Sequence, residues 1–338
     1  MKLTIKEIAD LAGVSITTVS QILNHKGSRF SQETRQKVLR IVEEQQYKPD
    51  FFASNLIKRH SKTIGMIVPD VTNLFFSKII EGVESYLNPL GYMILLCNSK
   101  HSQAKELQYI DELIYRSVDG IILATPHVLP AEKSLTSGFF DKMPLMLIDR
   151  GINQRKIDRL IVQEYSGAYQ AMETLLALGH REIGMLREMQ GYYQLTERTD
   201  AYRQALLDAE IPFRKEYVTQ GELTVAGGYR AAKELLATQS EITAIFCGND
   251  EMALGCYQAI HEIGKKVPDD ISVVGFDGVE ISEFAVPTLT TIYQPSFDIG
   301  FYAAKFLVDR IDFPQTKGQN KLFATEFLLR GSVAPVKN

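Results

Sequence analysis

Residues 4–24 read TIKEIADLAGVSITTVSQILN, and the spacing inside this stretch sets the plan of the N-terminal part of the chain. Ile5, Ile8, Ala9 and Ala12 recur at helical spacing and predict a first helix, with the small Ala9 letting a neighbour approach. Gly13 offers the turn. Ser15 is an N-cap for a second helix whose inner face is Val19, Ile22 and Leu23. The polar run Ser15–Ile16–Thr17–Thr18 opens that helix, the place where a recognition helix presents side chains to base edges. An ordinary helical hairpin satisfies the same spacing. A third helix opens at Ser31, with Glu33 and Thr34 in its first turn and Val38, Ile41 and Val42 inward, and Pro49 ends the unit.

Charge separates this head from the rest. Residues 1–60 carry ten Lys/Arg against six Asp/Glu, or +4, so with a total of −4 the remainder carries −8. A basic head on an acidic body points to a local polyanion contact, although chance clustering gives the same imbalance. With 338 residues, 45% hydrophobic and 23% charged, the chain suits a globular protein with a small module plus one or two larger domains. The opening MKLTIKEIAD has no apolar signal region, and no apolar run approaches the roughly 18 residues that span a bilayer. Cys97, Cys247 and Cys256 are few and widely spaced, which fits a reducing compartment, so a cytoplasmic protein is expected. No GxSxG, Walker, HExxH or spaced Cys/His pattern is present, so no enzyme, cofactor or metal is expected. His180 reads as a solvent-side residue before a strand.

From Thr63 the texture changes. The apolar runs TIGMIV, YMILLC, GIILAT and LMLID are separated by helical segments near 74–89, 103–116 and 131–141. EIGMLR, AIFCG and ISVVGF follow, with helices near 196–209, 225–237 and 250–263. Strand–helix alternation predicts parallel sheets covered by helices, and the units divide near residue 160 into two α/β lobes. Ligands bind such lobes at strand carboxyl ends, in the cleft.

The headpiece motif, VLRIVEEQQYKPD, FCGNDEMALG, ISVVGFDG and the terminal LLRGS together resemble the lactose-repressor family of bacterial transcription regulators over essentially the full length. The resemblance implies an all-α helix-turn-helix headpiece at 1–48, a hinge helix and linker at 49–60, and an α/β core of two Rossmann-like lobes at 61–338. The implied core fold is the periplasmic-binding-protein type I fold, its first lobe expected at about 61–160 and 293–322, its second at about 161–292 and 323–338. It further implies a homodimer on a near-palindromic DNA operator, with no membrane. The chain stops at SVAPVKN without the leucine repeat of the family's tetramers. The family's base-reading positions fall on Ile16, Thr17 and Gln21, the last commonly Arg; Gln suits adenine where Arg suits guanine. Thr4, Ser15, Thr18, Asn24 and Thr34 match phosphate-holding positions, which set register. FFASNLIKR resembles the hinge helix, with Ala53 and Leu56 on the DNA side and Leu56 as the minor-groove wedge. So short a helix is expected to fold only on DNA and in a dimer.

The core is also similar to periplasmic sugar-binding proteins, the ribose-binding protein in particular. NLFF places Asn73, Phe75 and Phe76 at the cleft, the rings flanking a sugar's C–H faces, although two adjacent Phe equally suit a core. IDRG supplies Asp149 and Arg150, ERTDAYR Arg198, GND Asn249, GFDG Asp277 and TTIYQP Gln294, each at a hydroxyl-binding position of that pattern. Carboxylates accept from paired hydroxyls and guanidinium groups donate in a fixed fork. The arginines are expected to keep these carboxylates ionised. Leu223 stands where the pattern often has an aromatic ring. D-ribose is the first effector expected, another pentose or small hexose next. A purine corepressor, or a sugar-binding module with no regulatory role, are the alternatives.

Overall fold

The computed structural model describes residues 3–24, 26, 28–47, 60–124, 143–148, 157–189 and 196–337. Ala53 and Leu56 of the hinge segment, Asp149 and Arg150 of IDRG, and the helix expected at 131–141 lie outside the described residues. Residues 1–61 and 62–338 form two compact units.

In the first unit, α1 (Ile5–Ala12) starts from Thr4, whose side chain accepts from the Glu7 amide while the Glu7 carboxylate accepts from the Thr4 amide. This reciprocal box satisfies two amides that a helix start leaves open. Gly13 stops α1 at φ 67, and its N–H reaches back to the Ala9 and Asp10 carbonyls. The left-handed conformation is what a residue without Cβ adopts at no steric cost. Ser15 and Ser31 cap α2 (Ile16–Leu23) and α3 (Gln32–Glu44) in turn. Ile8, Ala9, Ala12, Val19, Ile22 and Val38 form the buried centre, with Leu23, Ile41 and Val42 packed around it.

The second unit holds two sheets. The first is built from β1 (Thr63–Val68), β2 (Met93–Asn98), β3 (Gly120–Leu123), β4 (Leu145–Ile148), β5 (Asp158–Val162) and β11 (Asn320–Phe323) in the order β11-β5-β4-β3-β1-β2, all parallel. The second is built from β6 (Ile183–Glu188), β7 (Val218–Gly221), β8 (Ala244–Cys247), β9 (Ser272–Asp277), β10 (Thr290–Tyr293) and β12 (Glu326–Leu328) in the order β12-β10-β9-β8-β6-β7. Only the β10–β12 pair there is antiparallel. Both faces of each sheet are covered, so Ile64, Met66 and Val68 enter one core cluster while Ile67 enters another. That double burial is why these strands read as continuous apolar runs.

The helices of this unit are α4 (Leu74–Leu87), α5 (Gln103–Tyr115), α6 (Glu164–Ala177), α7 (Thr196–Asp208), α8 (Val225–Thr238), α9 (Asp250–Glu262), α10 (Ile281–Phe284) and α11 (Ser296–Asp312). Three of them, α6, the short α10 and α11, were absent from the sequence expectation. α11 buries Ile299, Ala303, Ala304, Leu307 and Val308 and presents Phe301, Tyr302 and Phe306 to neighbours, leaving no clean polar stripe. It crosses α4 at Gly82 and Gly300, where an added Cβ would stand 2.0 Å from the Phe297 and Ile79 carbonyl oxygens. The backbones come too close for any side chain.

The chain passes between the sheets at Gln163, whose N–H donates to the Phe323 carbonyl at 2.9 Å, and again after β10 and after β11. β5 thus runs past residue 160, and Tyr293 pairs within the second sheet. His180 differs from expectation. It is 2% exposed, with Nδ1 2.9 Å from Thr243 Oγ1 and Nε2 3.0 Å from the Ala334 carbonyl, so it fastens the C-terminal segment to the second lobe. Its burial holds the ring's pKa below the ordinary value.

Candidate functional site

The positions expected to read bases lie on α2. Ile16 is 45% exposed, Thr17 is exposed and Gln21 is half-buried. The other expected positions cluster at helix ends and are engaged locally. Thr4 bonds Glu7, Ser15 Oγ lies 2.9 Å from Thr18 Oγ1, Asn24 Nδ2 donates to the Ser20 carbonyl at 2.8 Å, and Thr34 Oγ1 lies 2.9 Å from Ser31 Oγ. Helix starts with outward amides are suited to phosphate oxygens.

In the core, the polar residues gather at the carboxyl ends of the second sheet. Asp277 ends β9 with φ 105, a region that L-residues rarely occupy and that the surroundings must hold. Gln294 does part of this, donating from Nε2 to Asp277 Oδ1 at 2.7 Å and from its backbone to the Asp277 carbonyl at 3.1 Å. Arg198, on α7, is 4% exposed. Its Nε and Nη2 donate to the two Glu164 oxygens at 3.0 and 2.8 Å, and Nη1 donates to the Gly248 carbonyl. Nη2 also lies 3.7 Å from Asp277 Oδ1, and the guanidinium sits 3.7 Å from the Phe276 ring centroid. Burial works against this charge, but Glu164 and Asp277 overcome it and hold the pKa above the ordinary arginine value.

The carboxylates behave otherwise than expected. Burial pushes Asp277 well above the usual range even though Arg198 pulls it down. Burial likewise lifts Asp250, at the start of α9, to about 7 despite hydrogen bonds from Thr291 and the Val279 amide. The nearby arginine is outweighed by loss of water, which penalises any buried charge.

Asn249 caps α9 by accepting from the Met252 amide at 2.9 Å, and its Nδ2 donates to the Leu223 carbonyl at 3.3 Å. Leu223 itself packs half-buried on the second-lobe core. From the first lobe, Asn73 caps α4 by accepting from the Phe75 amide at 3.0 Å. Phe75 and Phe76 meet edge to face at 5.3 Å and rest against the first-lobe core, so they are partly core residues. The Leu74 amide donates to Glu251 Oε1 at 3.3 Å, which brings the starts of α4 and α9 together across the gap between the sheets. Arg198, Asn249, Asp277 and Gln294 share one region, since Arg198 reaches both Asp277 and the Gly248 carbonyl beside Asn249, and Asn73 caps the helix whose start meets that of α9.

Two members escaped the sequence reading. Glu164 opens α6 immediately after the crossing at Gln163, and Glu188 closes β6. Glu188 carried a usable signal, since it ends a strand as Asp277 does. Among the described residues, no group of three or more His, Cys, Asp or Glu is placed to hold a metal ion, and no helix is long and apolar enough to cross a membrane.

A helix-turn-helix unit ahead of a two-sheet core with a polar cluster at its strand ends defines a ligand-sensing regulator. Residues 4–50 match the family of bacterial regulatory proteins named for lacI, and residues 172–333 match a periplasmic binding protein-like domain. The chain is 35% identical to the HTH-type transcriptional repressor PurR of Vibrio parahaemolyticus over 98% of each. Among solved structures it resembles the lac repressor dimer bound to operator and the anti-inducer ONPF, with TM-score 0.87 and 26% identity over 99% of this chain and 100% of that one. It also resembles a LacI family regulator from Enterococcus faecium with bound ribose, with TM-score 0.73 and 34% identity over 81% of this chain and 100% of that one. The chain belongs to the lacI family, as a ligand-responsive transcriptional repressor and not a member of an enzyme family.

Proposed function

We propose that this chain is a homodimeric repressor whose operator affinity falls when a small neutral sugar, D-ribose first among candidates, enters the core. The observation that carries the sugar reading is the joint placement of Arg198, Asp277, Asn249 and Gln294, with Gln294 Oε1 buried and lacking a hydrogen-bond partner. A site with surplus acceptors calls for a ligand rich in hydroxyl donors. Asp149 and Arg150 would complete it from the first lobe. Similarity to the ribose-bound Enterococcus regulator supports this. A purine corepressor is the second reading, favoured by similarity to PurR repressors across nearly the whole chain.

For the DNA side, exposed Ile16, Thr17 and Gln21 read the major groove while Thr4, Ser15, Thr18, Asn24 and Thr34 meet phosphates, and Ala53 and Leu56 engage the minor groove. The operator-bound lac repressor dimer supports this arrangement. Exposed apolar side chains on β2 (Met93, Leu95, Leu96) and around α10 (Ile281, Phe284, Val286) suit burial against a second copy. A protein that works on an operator works in the cytoplasm. The test is to select an operator with the full-length protein, then titrate D-ribose and hypoxanthine against the complex. Release by ribose is expected; indifference to ribose with tightening by hypoxanthine overturns the sugar reading in favour of the purine one.

A further inference from the structure

Glu188 is 1% exposed, and neither of its carboxylate oxygens has a hydrogen-bond partner. Its nearest cation, Arg187 Nη2, stands 3.7 Å from Oε1, beyond hydrogen-bond reach. A buried carboxylate with empty acceptor sites is costly, and proteins rarely keep one without a use. The strand order of the sheet says where it lies. Strands β9, β8 and β6 are neighbours in that order, and Asp277, Asn249 and Glu188 stand at or just past their carboxyl ends, in one row of strand ends. Arg198 and Glu164 are close enough to act on Glu188 electrostatically.

We infer that Glu188 is a further effector contact, accepting hydrogen bonds from hydroxyl donors of the ligand and selecting against phosphorylated ones. This rests on the sensor reading above and adds the residue that sets ligand class. Its two oxygens and Gln294 Oε1 are all acceptors, so the ligand must bring donors to both ends of the row. Among the described residues here, Arg198 is already held by Glu164 and the Gly248 carbonyl while the unpartnered atoms of Glu188 and Gln294 are acceptors, so a phosphate, which brings further acceptors, would be opposed. A polyol needs no charge to satisfy three acceptors.

Burial lifts the Glu188 pKa to about 7, with its own backbone amide, Arg187 and Arg198 lowering it and Glu164 raising it. Because hydroxyls bind the ionised form, sugar binding expels a proton and affinity rises with pH through about 7. Asp277 shares this behaviour through its own burial, so the comparison is made by difference.

The experiment measures binding of D-ribose, ribose 5-phosphate and hypoxanthine to the full-length wild-type chain and to Glu188→Gln and Glu188→Met, by calorimetry from pH 6 to 8. The expected result is ribose binding weakened about tenfold or more in both variants, a flatter pH dependence, and ligand-free melting no lower than wild type. Ribose binding unchanged in either variant, or an unaltered pH slope, overturns the contact. Ribose 5-phosphate binding wild type as tightly as ribose overturns the charge selection. If wild type takes hypoxanthine instead of ribose, the sugar reading fails. The same variants then decide Glu188 separately, a tenfold loss for hypoxanthine upholding the contact and an unchanged affinity removing it.

Discussion

Arg198 is the residue on which the core's polar balance turns. It neutralises Glu164 through two parallel hydrogen bonds, and Glu164 is 3% exposed. Replacing Arg198 by Ala leaves a buried carboxylate unpaired, a change that costs about 3–5 kcal/mol in comparable pairs. The variant is therefore expected to melt several degrees lower and to lack the sugar response proposed above, which thermal scans with and without D-ribose will show. An unchanged melting temperature would contradict the pairing. Lysine should not rescue it, since a single ammonium cannot span both Glu164 oxygens. Glu188 makes a second prediction at this scale. Its pKa of about 7 in the folded protein exceeds the ordinary 4.5, so between these values the folded state binds more protons than the unfolded one. Stability of the ligand-free protein should therefore fall as pH rises from about 4.5 to about 7, by on the order of 3 kcal/mol from this residue. The measurement is the difference between wild type and Glu188→Gln, which removes the contributions of Asp250 and Asp277. Arg198, Asn249, Asp277 and Gln294 were legible as candidates because ERTDAYR, GND, GFDG and TTIYQP match hydroxyl-binding positions of the sugar-binding pattern. The protonation of Asp277 was not, because a nearby arginine and loss of water oppose each other and only the depth of burial decides. Glu164 was invisible for a simpler reason: its partner lies 34 residues along the chain.

Elements whose limits are written in single residues were the easiest to read. Ser15 and Ser31 each cap a helix, and Gly13 ends one, because those roles depend on side-chain chemistry or its absence within a few positions. α11 had no such advantage. Its apolar residues surround most of the helix because it packs on both β-sheet and α4, and that surrounding exists only once the last part of the chain has folded back on the first lobe. α6 follows a lobe crossing that no local signal announces. Gly13 allows a clean test of an element boundary. A Cβ there would meet nothing nearer than Lys37 Nζ at 3.7 Å, so Gly13→Ala costs only the left-handed backbone, φ 67. The expected penalty is about 1 kcal/mol, or roughly fivefold less hydrogen-exchange protection of α1 and α2 amides. The core, a separate unit, should exchange as before. Loss of protection throughout would mean that the two units unfold together.

At the scale of the molecule, sensing and DNA binding are carried by units joined through a single stretch of chain. Removing residues 1–60 should therefore abolish operator binding while leaving ribose affinity within about twofold, since the polar cluster, its arginine and both sheets lie beyond the cut. Coupling between them must be thermodynamic. If ribose lowers operator affinity by some factor, bound operator must lower ribose affinity by the same factor, whatever movement connects them. The hydrogen bond between the Leu74 amide and Glu251 is one contact placed to register such a movement, because it joins a helix of the first lobe to a helix of the second. Couplings of this kind are worth about 1–3 kcal/mol, or roughly 5–150-fold. Ribose titrations of the full-length protein with and without a saturating operator duplex measure one side of the cycle, and operator titrations with and without saturating ribose measure the other. Equal factors well above one establish a sensor that drives the headpiece. A ribose affinity unmoved by operator would mean that sugar and DNA are bound independently, and that the core's ligand does not regulate the gene.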